Sequence, residues 1–232
     1  MSDKDKIIYE QGAEQYDRLI GYEDYQGNLL PAIQKVITLE NLRAVDLGAG
    51  TGRLTRLLAP YLVGMIGLDI SAAMLKVAYR ELSRSASSNW LLCLGDHRCL
   101  PLADRSVDII VSGWSFSYLP VWHPDTWRAE LERALAEMQR VLLPHGSILL
   151  LETLGTGRVT PKPPATLEAY YDWLAERGFN HTWLRTDYHF PNLQEAFDLT
   201  RFFFGEEMCA SLMEGPFSVT LPECTGVWWI NR

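Results

Sequence analysis

The residues most suited to chemistry lie in one block, Val45-Asp46-Leu47-Gly48-Ala49-Gly50-Thr51-Gly52-Arg53-Leu54-Thr55, where an apolar run meets three alternating glycines and then a helical stretch. Glycine permits positive φ in the turn after a strand, and its missing Cβ lets a ligand lie against the backbone. The spacing narrows the ligand. A dinucleotide fingerprint, G-x-G-x-x-G, requires a small residue at the place held here by Arg53, because the helix must pack closely on the strand. A phosphate-binding P-loop requires a Lys-Ser/Thr pair, and none follows Gly52. What remains is a Gly48-x-Gly50-x-Gly52 turn preceded by the acid Asp46.

Such a turn has to be carried by a strand and followed by a helix, and the surrounding sequence supplies a series of both. Between residues 43 and 152, short apolar runs alternate with longer amphipathic stretches, the pattern of strand-helix-strand units in a parallel sheet. Strands are predicted at Ala44–Leu47, Met65–Asp69, Trp90–Leu94, Val107–Ser112 and Ser147–Glu152. Val107–Val111 and Ile148–Leu151 are nearly continuous in Val, Ile and Leu, as strands covered on both faces should be. Leu131, Ala134, Leu135, Met138, Val141 and Leu142 recur at helical spacing, so a helix is predicted over 126–143, with Pro144 just beyond it. Further on come a helix over 165–177 stopped by Gly178, an extended stretch over 180–190, a helix over 193–212 and a strand-like run over 217–230. Asn192 followed by Glu195 reads as a capping box opening the second of these helices. The acidic, aromatic start, with Tyr9, Tyr16, Tyr22 and Tyr25, forms one or two helices across the top edge of the sheet. The fold class is therefore α/β: a single domain with a doubly wound, mostly parallel sheet. Its parts are an N-terminal helical cap (1–40), a cofactor-binding core (41–155) and substrate-side helices with the final strands (156–232).

The glycine block resembles motif I of the class I S-adenosylmethionine-dependent methyltransferases, in its D-x-G-x-G-x-G form. Other pieces of that family's pattern follow in order. Gly67-Leu68-Asp69-Ile70-Ser71 ends the second strand in an acid, and the resemblance implies that Asp69 takes both ribose hydroxyls of the cofactor. A carboxylate's two acceptor oxygens suit a vicinal diol, although nicotinamide enzymes use the same device. Leu94-Gly95-Asp96-His97 is similar to the G-D dipeptide whose acid accepts from the adenine amino group, with His97 offering its backbone beside the base. Leu100–Asp108 resembles the "lPf-d-s-fD" passage, and Met138–Gly146 resembles the "RVLkPGG" turn with His145 in place of its first glycine. The likeness spans residues 9 to 155. It implies a Rossmann-like seven-stranded fold, S-adenosylmethionine as cofactor and methyl transfer to an O, N or C atom of a small-molecule acceptor. It also implies that Tyr16 and Asp46 lie at the methionine end, that Gly48, Ala49, Gly50 and Gly52 lie under the cofactor, that Ile70 meets adenine and that Trp114 contacts the ligand.

A sulfonium already carries an activated methyl group, so positioning does most of the work and no acid-base constellation is required. For a hydroxyl acceptor a base is useful, and the candidates are His123 and His189, each following a strand whose C-terminal end faces the ligand. The plainer alternative for His123 is a surface residue just before Pro124. Trp114, Phe116, Tyr118 and Trp122 crowd the exit of the fourth strand, where they stack on an acceptor, enclose the sulfonium or fill core. The segment Gly155–Pro164, with two glycines and three prolines, is either a lid over the acceptor or a connector.

A net charge of −8, with no run of Lys or Arg, argues against nucleic acid and anionic lipid as partners. The start Met1–Lys6 has no apolar leader, and the longest apolar stretch, 141–151, is broken by Pro144, His145 and Gly146, so no membrane association is expected. The four cysteines have no ligand spacing, which predicts reduced cytoplasmic thiols and no metal site. Val111-Ser112-Gly113-Trp114 lacks the Asn/Asp-Pro-Pro-Tyr/Phe pattern of adenine methylation, and no Pro-Cys occurs, which favours a small metabolite. Two other functions stand beside this one. One is a non-catalytic protein of the same fold; the other is a nicotinamide oxidoreductase, which Arg53 opposes. The oligomeric state is not specified.

Overall fold

The computed structural model describes residues 7–231. The leader expectation for Met1–Lys6 falls outside them. Five parallel strands come first: β1 (Arg43–Leu47), β2 (Gly64–Asp69), β3 (Trp90–Leu94), β4 (Val107–Gly113) and β5 (Leu142–Thr156). Then follow β6 (Asn180–Arg185), β7 (Tyr188–Phe190), β8 (Met213–Glu214), β9 (Val219–Leu221) and β10 (Glu223–Asn231). The seven-stranded sheet has the order β3-β2-β1-β4-β5-β10-β6, with β10 antiparallel to both neighbours. The chain leaves β1 toward β2 and β3 on one side and places β4 and β5 on the other. A topological switch therefore lies between β1 and β4, and a crevice is expected beyond their carboxyl ends.

Helices cover both faces because the central strands are apolar on both. On one face Val45, Leu47, Ile110, Ile148 and Leu150 pack under α6 (Trp127–Val141) and α7 (Glu168–Glu176). On the other, Ala44, Met65, Ile109, Leu149 and Leu151 pack under α2 (Leu29–Val36) and α3 (Arg53–Leu58). The helix α1 (Ala13–Ile20), preceded by a short wide turn at Ile7–Gln11, lies by α4 (Ala72–Ser83) and α8 (Leu193–Phe204), while α5 (Tyr118–Trp122) follows β4. Among the described residues no helix is long and apolar enough to cross a membrane.

Several boundaries differ from the sequence expectation, each for a local reason. The helix predicted over 193–212 ends at Phe204, because Gly205 at φ +97 turns the chain into a tighter helix. The run 217–230 is two strands separated by Pro222, and 180–190 is two strands separated by Thr186 and Asp187. These breaks release β7, β8 and β9 into a separate three-stranded antiparallel sheet that the sequence pattern did not announce. The fifth strand is much longer than Ser147–Glu152, and its Gly155 and Thr156 pair with Cys224 and Glu223. In the segment expected as lid or connector, the first two residues are sheet, Gly157 donates to the Pro222 carbonyl at 2.7 Å and Lys162 to that of Leu154 at 2.7 Å. The segment is tied down at both ends. Asn192 does cap α8, its side chain accepting from the Glu195 N–H at 2.9 Å.

Candidate active site

The turn after β1 is held by the end of β2. Gly48 and Ala49 both donate N–H to the Leu68 carbonyl, at 2.7 and 2.9 Å, and Gly50 donates to Asp69 Oδ2 at 2.8 Å. The other carboxylate oxygen of Asp69 accepts from the Ser71 N–H at 2.8 Å, at the start of α4. All three glycines have positive φ, but they do different things. A Cβ on Gly50 would meet only the Tyr16 ring, at 3.7 Å, so this glycine opens onto a cavity. One on Gly48 would strike Ser115 Oγ at 1.8 Å, and one on Gly52 would press on Ala78 of α4 at 3.2 Å. Those two are needed for packing.

Two cavities meet at this turn. The first, about 420 Å³, is lined by Asp69, Ile70, Asp96, His97 and His123, together with Gly48 and Gly50. Asp69 is buried, which raises its carboxyl above the usual range against the two amides that favour the charged form. Asp96 is gripped by Arg98 at 2.6 Å, and this hydrogen-bonded guanidinium holds its carboxyl down at about 2. Burial pushes the His97 imidazole down to about 4, and its Nε2 lies 3.4 Å from Ser115 Oγ. Ile70 is exposed at the rim.

The second cavity, about 260 Å³, extends toward β5 and β10, with Tyr16, Gly50, Trp114 and Tyr118 in the wall common to both. Trp114 sits at φ +49 with the Arg53 guanidinium 4.8 Å above its ring. Arg53 pairs with the buried Glu23. Asp46 is 1% exposed; Thr55 Oγ1 donates to its Oδ2 at 2.7 Å, while Oδ1 has no partner and burial raises the carboxyl to about 7. Glu152 accepts from the Ser117 N–H at 2.9 Å and the Ser117 hydroxyl at 2.6 Å, and burial carries it to about 7. Glu223 accepts from Thr153 Oγ1 at 2.7 Å, and burial carries it to about 8.

The structure thus gathers Tyr16, Asp46, Gly48, Ala49, Gly50, Asp69, Ile70, Asp96, His97 and Trp114 around the two cavities. Gly52 lines neither and shapes the turn from behind. The two histidines fare differently. His123 closes α5 with Nε2 3.1 Å from Arg98 Nη1, inside the first cavity only. His189, on β7, stacks on Tyr25 at 4.6 Å and lines neither cavity. Sequence reasoning missed Glu23, Glu152 and Glu223. Glu152 had a signal, an acid at the C-terminal end of an apolar strand as at Asp46 and Asp69.

The profile of the methyltransferase domain family matches residues 45–150. A malonyl-[acyl-carrier protein] O-methyltransferase from Methylococcus capsulatus is 30% identical over 177 residues, covering 75% of this chain and 58% of that protein. A demethylmenaquinone methyltransferase from Desulfitobacterium hafniense is 34% identical over 164 residues, 65% of this chain and 61% of that protein. Residues 45–150 therefore belong to the methyltransferase domain family. In fold, the chain is similar to a SAM-dependent methyltransferase from Aquifex aeolicus, with TM-score 0.56 at 15% identity over 97% of this chain and 99% of that one. The chain spans 58% and 61% of the lengths of these two curated relatives. The residues present fit S-adenosylmethionine. A cradle open at Gly50, a carboxylate at the end of β2, a second at the end of β3 and an unpartnered buried oxygen on Asp46 are the features a ribose, an adenine and an ammonium need.

Proposed function

We propose that the chain moves a methyl group from S-adenosylmethionine to an O, N or C atom of a small-molecule acceptor. The observation that carries the proposal is the common wall: the cavity bearing the two nucleoside acids and the cavity bearing the glutamates meet at Gly50 and Trp114. Bound there, S-adenosylmethionine supplies a sulfonium methyl group, already activated for in-line displacement.

The chain's own residues then position and exclude water. Asp69 is assigned to the ribose diol, Asp96 with Ile70 and His97 to adenine, and Asp46 with Tyr16 to the methionine end, over Gly48, Ala49 and Gly50. Trp114 lines both cavities, which supports a position for it between the donor and acceptor sides. Holding two reactants in line supplies on the order of 7–11 kcal/mol, which is why no acid-base relay is needed for an acceptor that is already nucleophilic. Where the acceptor must lose a proton, Glu152 and Glu223 are the carboxyls at hand, since His189 is remote and His123 is engaged by Arg98.

The division into a cap (1–40), a cofactor core (41–155) and an acceptor side (156–232) follows the same geometry, because the second cavity draws on residues of the first and last parts. The net charge of −8 and the small volume of the second cavity support a small acceptor over a nucleic acid. The four cysteines are free, which supports a cytoplasmic setting. A screen of small-molecule acceptors for S-adenosylhomocysteine release tests the proposal; release above the acceptor-free rate is expected, and none across a broad panel counts against it.

A further inference from the structure

The second cavity has an unusual balance of charge. Glu23, from the loop before α2, Glu152 on β5 and Glu223 at the start of β10 converge on it with exposures of 8%, 0% and 2%, and Asp46 joins them from β1. Among the described residues that line it, Arg53 is the one Lys or Arg, its charge already matched by Glu23 and its guanidinium over Trp114. Glu152 and Glu223 meet neutral donors: Ser117 and Tyr170 for the first, Thr153 and Thr156 for the second. One oxygen of Glu23, Oε1, is buried without a hydrogen-bond partner. Buried carboxylates are retained when a countercharge meets them, and this cavity holds more acids than cations.

We infer that the cavity selects acceptors bearing a protonated amine, with the ammonium held by Glu223 and the free oxygen of Glu23 against the aromatic wall of Trp114 and Tyr188. The inference rests on the proposal that this cavity is the acceptor site. Three features converge on it. An ammonium donates up to three hydrogen bonds and accepts none, matching a site rich in acceptor oxygens. The rings of Trp114, Tyr188, Phe203 and Phe204 line the same space and attract a cation through their faces. A carboxylate acceptor would meet four acids and, as a countercharge, an Arg53 that is already paired with Glu23. Burial, aided for Glu223 by the nearby Glu23 charge, raises both Glu152 and Glu223, and a bound cation would return them to carboxylates.

The test is calorimetry on protein saturated with S-adenosylhomocysteine, which lacks the sulfonium charge, using 2-phenylethylamine, 2-phenylethanol and phenylacetate as probes. The amine is expected to bind about tenfold or more tighter than the alcohol, the advantage of a charge-assisted hydrogen bond, and phenylacetate weakest of all. Glu223→Gln should bring the amine down to the alcohol's affinity with the alcohol unchanged. If that variant melts early, Glu23→Gln takes its place. Equal affinity for amine and alcohol, a preference for phenylacetate, no amine binding, or an amine preference surviving both substitutions overturns the inference. Failure of the methyltransferase proposal looks different: it shows as no uptake of S-adenosylhomocysteine, or as uptake without turnover of any acceptor.

Discussion

Gly50 donates its backbone N–H to Asp69 Oδ2 at 2.8 Å, so the acid that ends β2 also fixes the shape of the glycine turn that ends β1. The two ends of the site are built as one piece. Each Asp69 oxygen retains a lone pair after its amide contact, and these remain for a ligand.

Asp69→Ala should therefore weaken S-adenosylhomocysteine binding much more than Asp96→Ala. Two charge-assisted bonds to a diol, at roughly 1.5–3 kcal/mol each, correspond to a loss on the order of 100-fold or more. Asp96 would make one bond to an amine, and its other duty is to Arg98, which keeps Glu130 as a partner when the acid is removed. Dissociation constants for both variants, after thermal melts show each folded, decide the matter. A larger loss in Asp96→Ala would mean that the ribose has been misplaced.

Gly50→Val and Gly52→Val should fail in different ways. At Gly50 the new side chain projects into the cavity, so cofactor affinity should fall at least ~100-fold while the fold survives with about 1–2 kcal/mol of backbone strain from φ +55. At Gly52 it presses on Ala78 and Leu82 of α4, at 3.2 and 3.3 Å, so stability should fall further. Circular dichroism melts paired with calorimetry separate the two. Equal cofactor affinity in wild type and Gly50→Val would remove the turn from the site.

Stability should also depend on pH through the buried acids. Asp46 and Glu152 at about 7 and Glu223 at about 8 all lie above their ordinary values of 3.8 and 4.5, with burial the leading cause. A carboxyl raised on folding favours the native state in its protonated form. That contribution is complete below the ordinary value and is lost as pH climbs through the raised one. The melting temperature of the ligand-free protein should fall between about pH 4.5 and 8, and Glu223→Gln should flatten the upper part of that slope. A melting temperature that rises across this window would contradict the burial argument.

Much of this could be read from the residues because the signals are local. The glycine turn, the apolar strands β1 to β4 and the amphipathic α6 depend on neighbours within a few positions. So does the acid at each strand end, since parallel strands in register deliver their carboxyl ends to one edge. Other features depended on distant pairing. The length of β5 is set by β10 arriving some seventy residues later, as Thr156 against Glu223 illustrates. Glu23 and Glu223 become neighbours only when the N-terminal loop and the last strand fold over the same cavity. His145 shows the converse: it takes φ +67 where the family's turn carries glycine, so backbone geometry was kept while residue identity changed. His189 looked promising by its place after an extended run, but the break at Thr186 and Asp187 carries it into the separate sheet.

The most direct measurement is a calorimetric titration of the purified protein with S-adenosylhomocysteine, S-adenosylmethionine and NAD in turn. The predicted result is one saturable site for each of the first two, lost in Gly50→Val, and no heat of binding for NAD. Binding of NAD, or silence toward both sulfur nucleosides in folded protein, would contradict the assignment of the cavity between β1 and β4.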